Sequence, residues 1–192
     1  MMYYPGFLYL LIAVVLLCVN IAALLFVLRY FIRLSEKDET TSLMNYRGFR
    51  HAIKKIISKH KAKDTSFTLA IFDIDNFKKF NDQSYAFGDS VLKQYARFLK
   101  DNLPQNALIA RFRFGDEFII VLHSDMSAAR QTINDLQKKC RENDFFVKQN
   151  LKSFHVSFSF GITSFEKTDT TESLLLRIEK DLKENKQTLH MD

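Results

Sequence analysis

The sequence predicts an α+β domain carried behind one N-terminal apolar helix. Two observations predict it. Phe7 to Leu28 is an uncharged apolar run, interrupted only by Cys18 and Asn20. Beyond it, apolar residues recur alternately at helical and at strand spacing, with strand, helix, hairpin, helix, strands and helix in that order.

The elements follow in turn. At ~1.5 Å per residue the first run is roughly 33 Å long as a helix, enough to cross a bilayer core. Tyr3, Tyr4, Tyr9 and Tyr30 sit near its ends, as interfacial aromatics do. No Lys or Arg precedes it, whereas Arg29, Arg33 and Lys37 follow, so the C-terminal part is expected in the cytoplasm of a cell with this inner membrane. The expected layout is a short extracytoplasmic N-terminus (1–5), a transmembrane helix (6–30), a juxtamembrane linker (31–37) and a cytoplasmic domain (38–192). Asn20 either bonds across a helix pair or, more commonly, bonds its own helix backbone. Phe49, Ile53, Ile56 and Ile57 mark the next helix, and residues 66–74 a buried strand. Val91, Leu92, Tyr95, Phe98 and Leu99 mark a helix that ends near Pro104. Leu108 to Phe114 and Phe118 to Leu122 are expected as a hairpin around Gly115-Asp116-Glu117. Residues 126–140 read as a helix, 145–147 and 154–162 as strands, and 174–186 as the closing helix.

Composition narrows the function. The formal charge is +6, and Lys54, Lys55, Lys59, Lys61 and Lys63 cluster. We read that cluster as a solvated face, with contact to anionic lipid as the alternative. No recognised nucleic-acid module occurs, so no nucleic-acid partner is expected. Two distant cysteines make neither a disulfide framework nor a zinc site. Cys140 reads as an inert helix residue, and His51, His60, His123 and His155 as ordinary surface or strand residues.

Two acidic clusters can carry chemistry. Asp73-Ile74-Asp75 closes the first strand, and Asp116-Glu117 sits at the hairpin tip. Carboxylates from two separate elements suit Mg²⁺, a hard ion that takes oxygen ligands and shares them with phosphate. Each cluster alone reads equally well as turn chemistry.

Their joint order resembles a known family. Asp73-Ile-Asp-Asn-Phe-Lys78, Asn81-Asp82, Gly88-Asp89 and Gly115-Asp-Glu-Phe118 are similar to the ordered motifs of GGDEF domains. Asp38 to Phe49 is similar to the family's opening Asp-x-Leu-Thr-Gly-Leu-x-Asn-Arg-Arg-x-Phe, Ser159-Phe-Gly-Ile162 to its late strand, and Leu182 to Lys186 to its last helix. The resemblance implies a nucleotide-cyclase or polymerase-palm-like fold, with a central, mostly antiparallel sheet flanked by helices. It implies GTP as ligand, Mg²⁺ as cofactor, cyclic di-GMP and two diphosphates as products from two GTP, and a homodimer. It also implies roles. Asp73, the Ile74 carbonyl and Asp116 would hold metal, with Asp116 and Glu117 in the catalytic position. Phe77 and Lys78 would lie by the phosphates, Asn81 and Asp89 would read guanine, and Lys186 would pair with the triphosphate.

The chain departs from that pattern in four places. Arg113-Phe114 precedes a single Gly115, either because Phe114 replaces the first glycine or, as we favour, because one glycine is deleted. The stretch Asn81 to Asp89 is one residue short and lacks Gly-His, which is expected to pull the two guanine readers apart. His190 stands where the family has Arg after Lys186. The inhibitory Arg-x-x-Asp is replaced by Asn106 and Ile109, or by Gln105 and Leu108. Three functions stay open: a degenerate nucleotide-binding regulator with little or no turnover, which we favour; an active diguanylate cyclase; and a docking platform for a membrane partner. No separate sensor domain is seen, so any signal is expected through the membrane helix or a partner.

Overall fold

The computed structural model describes residues 5–113, 115–146 and 153–189. It divides into two units, residues 1–36 and 37–192.

The first unit is one helix, α1 (Pro5–Leu34). Gly6 to Ile32 is long and apolar enough to cross a membrane by length and composition, and its side chains are exposed throughout. The helix runs on into the segment expected as a linker. Asn20 donates from Nδ2 to the Leu16 carbonyl at 2.8 Å, so it satisfies itself on its own backbone.

The second unit is a four-stranded antiparallel sheet between two helical layers. Its elements are α2 (Tyr46–Lys63), β1 (Thr68–Ile74), α3 (Lys78–Asn81), α4 (Tyr85–Asn102), β2 (Leu108–Arg111), β3 (Glu117–Leu122), α5 (Met126–Glu142), β4 (Phe145–Phe146), β5 (Ser153–Phe154), β6 (Phe158–Ser164) and α6 (Thr171–Leu189). The sheet order is β2-β3-β1-β6, and β4 pairs only with β5. Period-two alternation divides the core. Ala70, Phe72 and Ile74 face Val91, Leu92, Leu99, Ile133 and Leu136 of α4 and α5. Leu69 and Ile71 face Phe49, Ile53, Leu174, Ile178 and Leu182 of α2 and α6. Side-chain caps start three helices: Asn45 accepts from the Gly48 amide, Ser84 from Phe87 and Asp125 from Ala128.

The structure corrects several expectations. β2 stops at Arg111, because Arg113 adopts a left-handed φ of 53° that no strand can contain. Glu117 is the first residue of β3 rather than part of the tip. The strand expected over 154–162 is two: β5 joins β4, and β6 begins at Phe158 and is buried on both faces. Val147 lies outside the described residues. The short helix α3 had no periodic signal. His60 is buried rather than superficial, stacked 5.5 Å from His123 with its Nδ1 2.8 Å from the Thr65 hydroxyl.

Candidate functional site

Asp73 extends the alternation of Leu69 and Ile71, and so it emerges on the α6 face just past the core. In the β1–β3 ladder its partner is Glu117, and in the β1–β6 ladder Ser159. Directly opposed residues on adjacent strands hold their side chains within reach of one another. α6 closes the third side. It lies hard against β6, because a Cβ on Gly161 would collide with the Ile178 carbonyl and the Leu182 amide. Asp181 accepts from the Ile162 amide at 2.8 Å, and Asn185 donates to the Phe160 carbonyl at 3.0 Å. This docking delivers Lys186 Nζ to 2.6 Å from the Asp73 carboxylate. The resulting cleft of about 430 Å³ is lined by Asp73, Arg113, Glu117, Glu179, Lys183 and Lys186, among others.

The carboxylates there are poorly compensated. Burial, and then the charge of Asp73, raises the pKa of Asp116 despite its own backbone hydrogen bond, Lys186 and Arg111. Glu117 is raised by the same two causes in the same order, with Arg113 opposing. The Asp116 carbonyl is tied to the Ile74 amide at 3.4 Å, which sets the two predicted metal-binding segments side by side. Among the described residues no group of three or more His, Cys, Asp or Glu side chains forms a metal cluster. Two carboxylates and a backbone carbonyl nonetheless suit Mg²⁺, which keeps waters and completes its shell with phosphate oxygens. Burial and the neighbouring Asp73 outweigh the nearby cations at Asp116, a strain that a bound cation relieves, so the residues present fit it.

The remaining predicted residues form a second group on α3 and α4. Phe77 caps α3 and packs 6.1 Å from Phe80, and Lys78 is exposed. Asn81 ends α3, with its side chain pressed against Gly88 where a Cβ would clash. Gly88 directly precedes Asp89, so the Asn81 side chain reaches across the short loop to the residue before Asp89. Asp89 itself is exposed. None of these four residues lines the α6 cleft. Asp75 accepts from Ser159 Oγ at 2.7 Å and ties β1 to β6.

The hairpin fixes where the strands end. Arg111 pairs with Phe118 in the ladder, and the Phe112 amide donates to the Glu117 carbonyl at 2.8 Å. Arg111-Phe112 is thus an Arg-aromatic pair at the strand end, one repeat before the Arg113-Phe114 pair favoured from the sequence. Phe114 itself lies outside the described residues, as does His190. Arg111 is the residue that sequence reasoning missed. Its Nε donates to the Gly115 carbonyl at 2.9 Å, and its Nη1 reaches both Asp38 oxygens at 3.2 Å. Asp38 also accepts from the Thr41 amide and hydroxyl at 2.8 and 2.7 Å, so the opening turn anchors the tip. The repeated Arg-Phe of residues 111–114 hid which arginine does this. Glu179, Lys183 and Lys186 were legible in principle, since i, i+4 and i+7 share one helix face.

Comparison with known proteins agrees with this geometry. Diguanylate cyclase DgcP of Pseudomonas aeruginosa is 31% identical over 147 residues, which are 76% of this chain and 22% of that protein. Diguanylate cyclase A of Treponema denticola is 28% identical over 157 residues, 77% of this chain and 42% of that one. The chain thus spans less than half the length of these curated relatives. An uncharacterized membrane protein of Staphylococcus aureus is 30% identical over 127 residues, 65% of this chain and 35% of that one. Among solved structures, the coiled coil and GGDEF domain of DgcB from Caulobacter crescentus, in complex with c-di-GMP, superposes with a TM-score of 0.80 at 20% identity, over 93% of this chain and 95% of that one. The diguanylate cyclase SiaD of Pseudomonas aeruginosa, in complex with its activator SiaC, gives 0.75 at 24% identity, over 96% and 71%. Both share the α+β fold expected from the sequence. Residues 35–191 match the family described as diguanylate cyclase, GGDEF domain, and the chain belongs to that family of cyclic di-GMP signalling.

Proposed function

We propose that this is a membrane-anchored GGDEF protein that binds GTP and acts as a regulator with little or no turnover. The observation that carries the reading is the hairpin tip. We read residues 113–115 as occupying the place of the two glycines, so that Arg113, half-exposed and paired with Glu179 at 2.7 Å, stands in for one of them. Glycine there allows the backbone to approach a nucleotide, and a side chain crowds that approach. A displacement of ~1 Å at a reacting centre costs about 10²-fold in rate.

Binding needs less. Asp73, Asp116 and the Ile74 carbonyl would hold Mg²⁺, which when bound neutralises phosphate charge. Lys186 would meet the triphosphate, with Lys78 and Phe77 near it. Asn81, with one donor and one acceptor edge, and Asp89 as acceptor would read guanine. α1 would span the inner membrane and leave residues 38–192 in the cytoplasm, where a homodimer or a membrane partner would receive the signal.

A second reading, an active diguanylate cyclase joining two GTP, is favoured by the adjacency of Asn81 and Gly88, which preserves the guanine end despite the short loop. Full-length protein in detergent is incubated with GTP and Mg²⁺ beside Asp116→Ala. GTP-dependent thermal stabilisation without product supports the regulator. Cyclic di-GMP from the parent alone replaces it with the cyclase, and neither product nor stabilisation leaves a docking platform.

A further inference from the structure

We propose that Arg113 is a phosphate-binding residue of the nucleotide cleft, and that Glu179 competes with the phosphate for it. This deepens the nucleotide-binding reading and rests on it.

Arg113 lines the same cleft as Lys183 and Lys186, facing Asp73, Glu117 and Glu179. Glu179 holds Arg113 and Asp73 holds Lys186, so an anion that takes either cation must displace its carboxylate. The Asp73–Lys186 contact is the tighter and less exposed, with side-chain exposures of 15% and 36%. The Arg113–Glu179 pair is freer, at 54% and 33%, and its loss costs little because exposed pairs are weak. The guanidinium is also presented rather than stowed. Its Cζ stands 4.7 Å over the Phe112 ring, itself wholly buried, so the ring is a packed platform beneath an exposed charge. Arg113 has a left-handed backbone, and its side chain reaches Glu179 of α6. A planar fork of N–H donors takes two phosphate oxygens at once, where Glu179 Oε1 satisfies one of them with a single contact. Exchange of a carboxylate for a polyanionic phosphate therefore gains both charge and bonds. The consequence is a tip that rests on α6 without nucleotide and transfers to the phosphates with it.

The test measures binding by full-length protein in detergent of GTP with Mg²⁺, inorganic tripolyphosphate and guanosine. The variants are Arg113→Ala, Arg113→Lys, Glu179→Gln and the Ala/Gln double. Arg113→Ala is expected to weaken GTP and tripolyphosphate about tenfold, the scale of one charge-assisted contact, and to leave guanosine unchanged. Arg113→Lys should recover part of the loss. Glu179→Gln should tighten both phosphate ligands in the parent and have no effect in the Arg113→Ala background. Tightening that persists without Arg113 would overturn the competition, since Glu179 would then act only through its own charge. Equal weakening of guanosine would reduce Arg113 to a structural role. Unchanged phosphate affinity in Arg113→Ala refutes the inference while leaving the nucleotide site standing. Failure of the parent and of Glu179→Gln to bind either phosphate ligand sinks both readings. Binding by Glu179→Gln alone supports the competition.

Discussion

Gly161→Ala tests how the cleft is assembled. Gly161 pairs with Ile71 in the sheet and lies beneath α6. No described glycine has positive φ, so the need for glycine here is steric rather than conformational. A methyl would sit 2.5 Å from the Leu182 amide nitrogen and 3.0 Å from its Cα, and closer still to the Ile178 carbonyl. All of these are backbone atoms, which no rotamer change can move aside. Restoring ordinary contact requires α6 to recede by roughly 1 Å, a gap that forfeits a quarter to a half of the dispersion along Leu174, Ile178 and Leu182. The Asp181–Ile162 and Asn185–Phe160 bonds flank the site and lengthen with it. We expect a loss of about 2–3 kcal/mol, the scale of overpacking in a rigid interface. In a unit of this size that lowers the melting temperature by roughly 5–10 °C. The same movement draws Lys186 from Asp73, so stabilisation by GTP and Mg²⁺ should fall along with Tm. A Gly161→Ala protein in detergent that melts within about 1 °C of the parent would refute the close-docking argument.

Three further perturbations probe separate parts. Arg111→Ala leaves the partly buried Asp38 carboxylate without its cation and the Gly115 carbonyl without its donor; we expect a loss of about 1–3 kcal/mol and faster hydrogen exchange of the tip amides, and unchanged exchange would remove Arg111 as the anchor. Asp169 is buried, which by itself raises its pKa, but bonds from Arg177, Glu166 and Ser173 outweigh this and hold it below the usual carboxylate value. A depressed folded pKa contributes stability that is fully present above the unfolded value and disappears as pH falls through the folded one. Asp169→Asn should therefore cost about 2 kcal/mol at neutral pH, discounted because Arg177 is partly exposed, with the gap to the parent closing below about pH 4; a gap independent of pH would contradict it. Burial pushes the Cys140 thiol up to about 12, and its Sγ donates to the Val156 carbonyl at 3.2 Å. In a Cys18→Ser background it should resist thiol reagents at pH 8 until the protein unfolds, and rapid native labelling would show an open packing around α5.

Residues with a period were legible, and residues held by distant partners were not. The alternation through Leu69 and Ile71 predicts β1 and places Asp73 at its end, because one ladder fixes both. The i, i+4 and i+8 spacing of Phe49, Ile53 and Ile57 predicts α2 in the same way. α3 is only four residues, too short to display a period. The break between β5 and β6 was invisible because Phe154 to Phe160 alternates smoothly; tertiary pairing with β4, rather than local pattern, diverts Ser153 and Phe154 from the main sheet. His60 was misread because a histidine between lysines looks solvated, although its angular position on α2 matches the buried Phe49 and Ile53. Asn81 and Asp89 were expected to separate on loop length alone. The Asn81 side chain lodges against Gly88, the residue before Asp89, a contact between elements that spacing does not encode.

The two arginines of the hairpin separate holding a nucleotide from turning it over. The Arg111–Asp38 contact, with side-chain exposures of only 11% and 18%, fixes the end of β2 to the opening turn. With that end fixed, the ladder from Arg111–Phe118 through Leu108–Val121 cannot slip to absorb an extra residue. On our reading a change of length is therefore confined to residues 113–115, and Asp73 still faces Glu117 across β1 and β3. A change of loop length that would scramble a freely sliding hairpin here alters only the tip. On our reading the cation site and Lys186 thus escape a perturbation that falls on the approach of the reacting groups, and Arg113 fills the space that approach needs. If that reading holds, shortening the tip to Phe112-Gly-Gly-Asp116 is the change expected to raise turnover without altering affinity for guanosine.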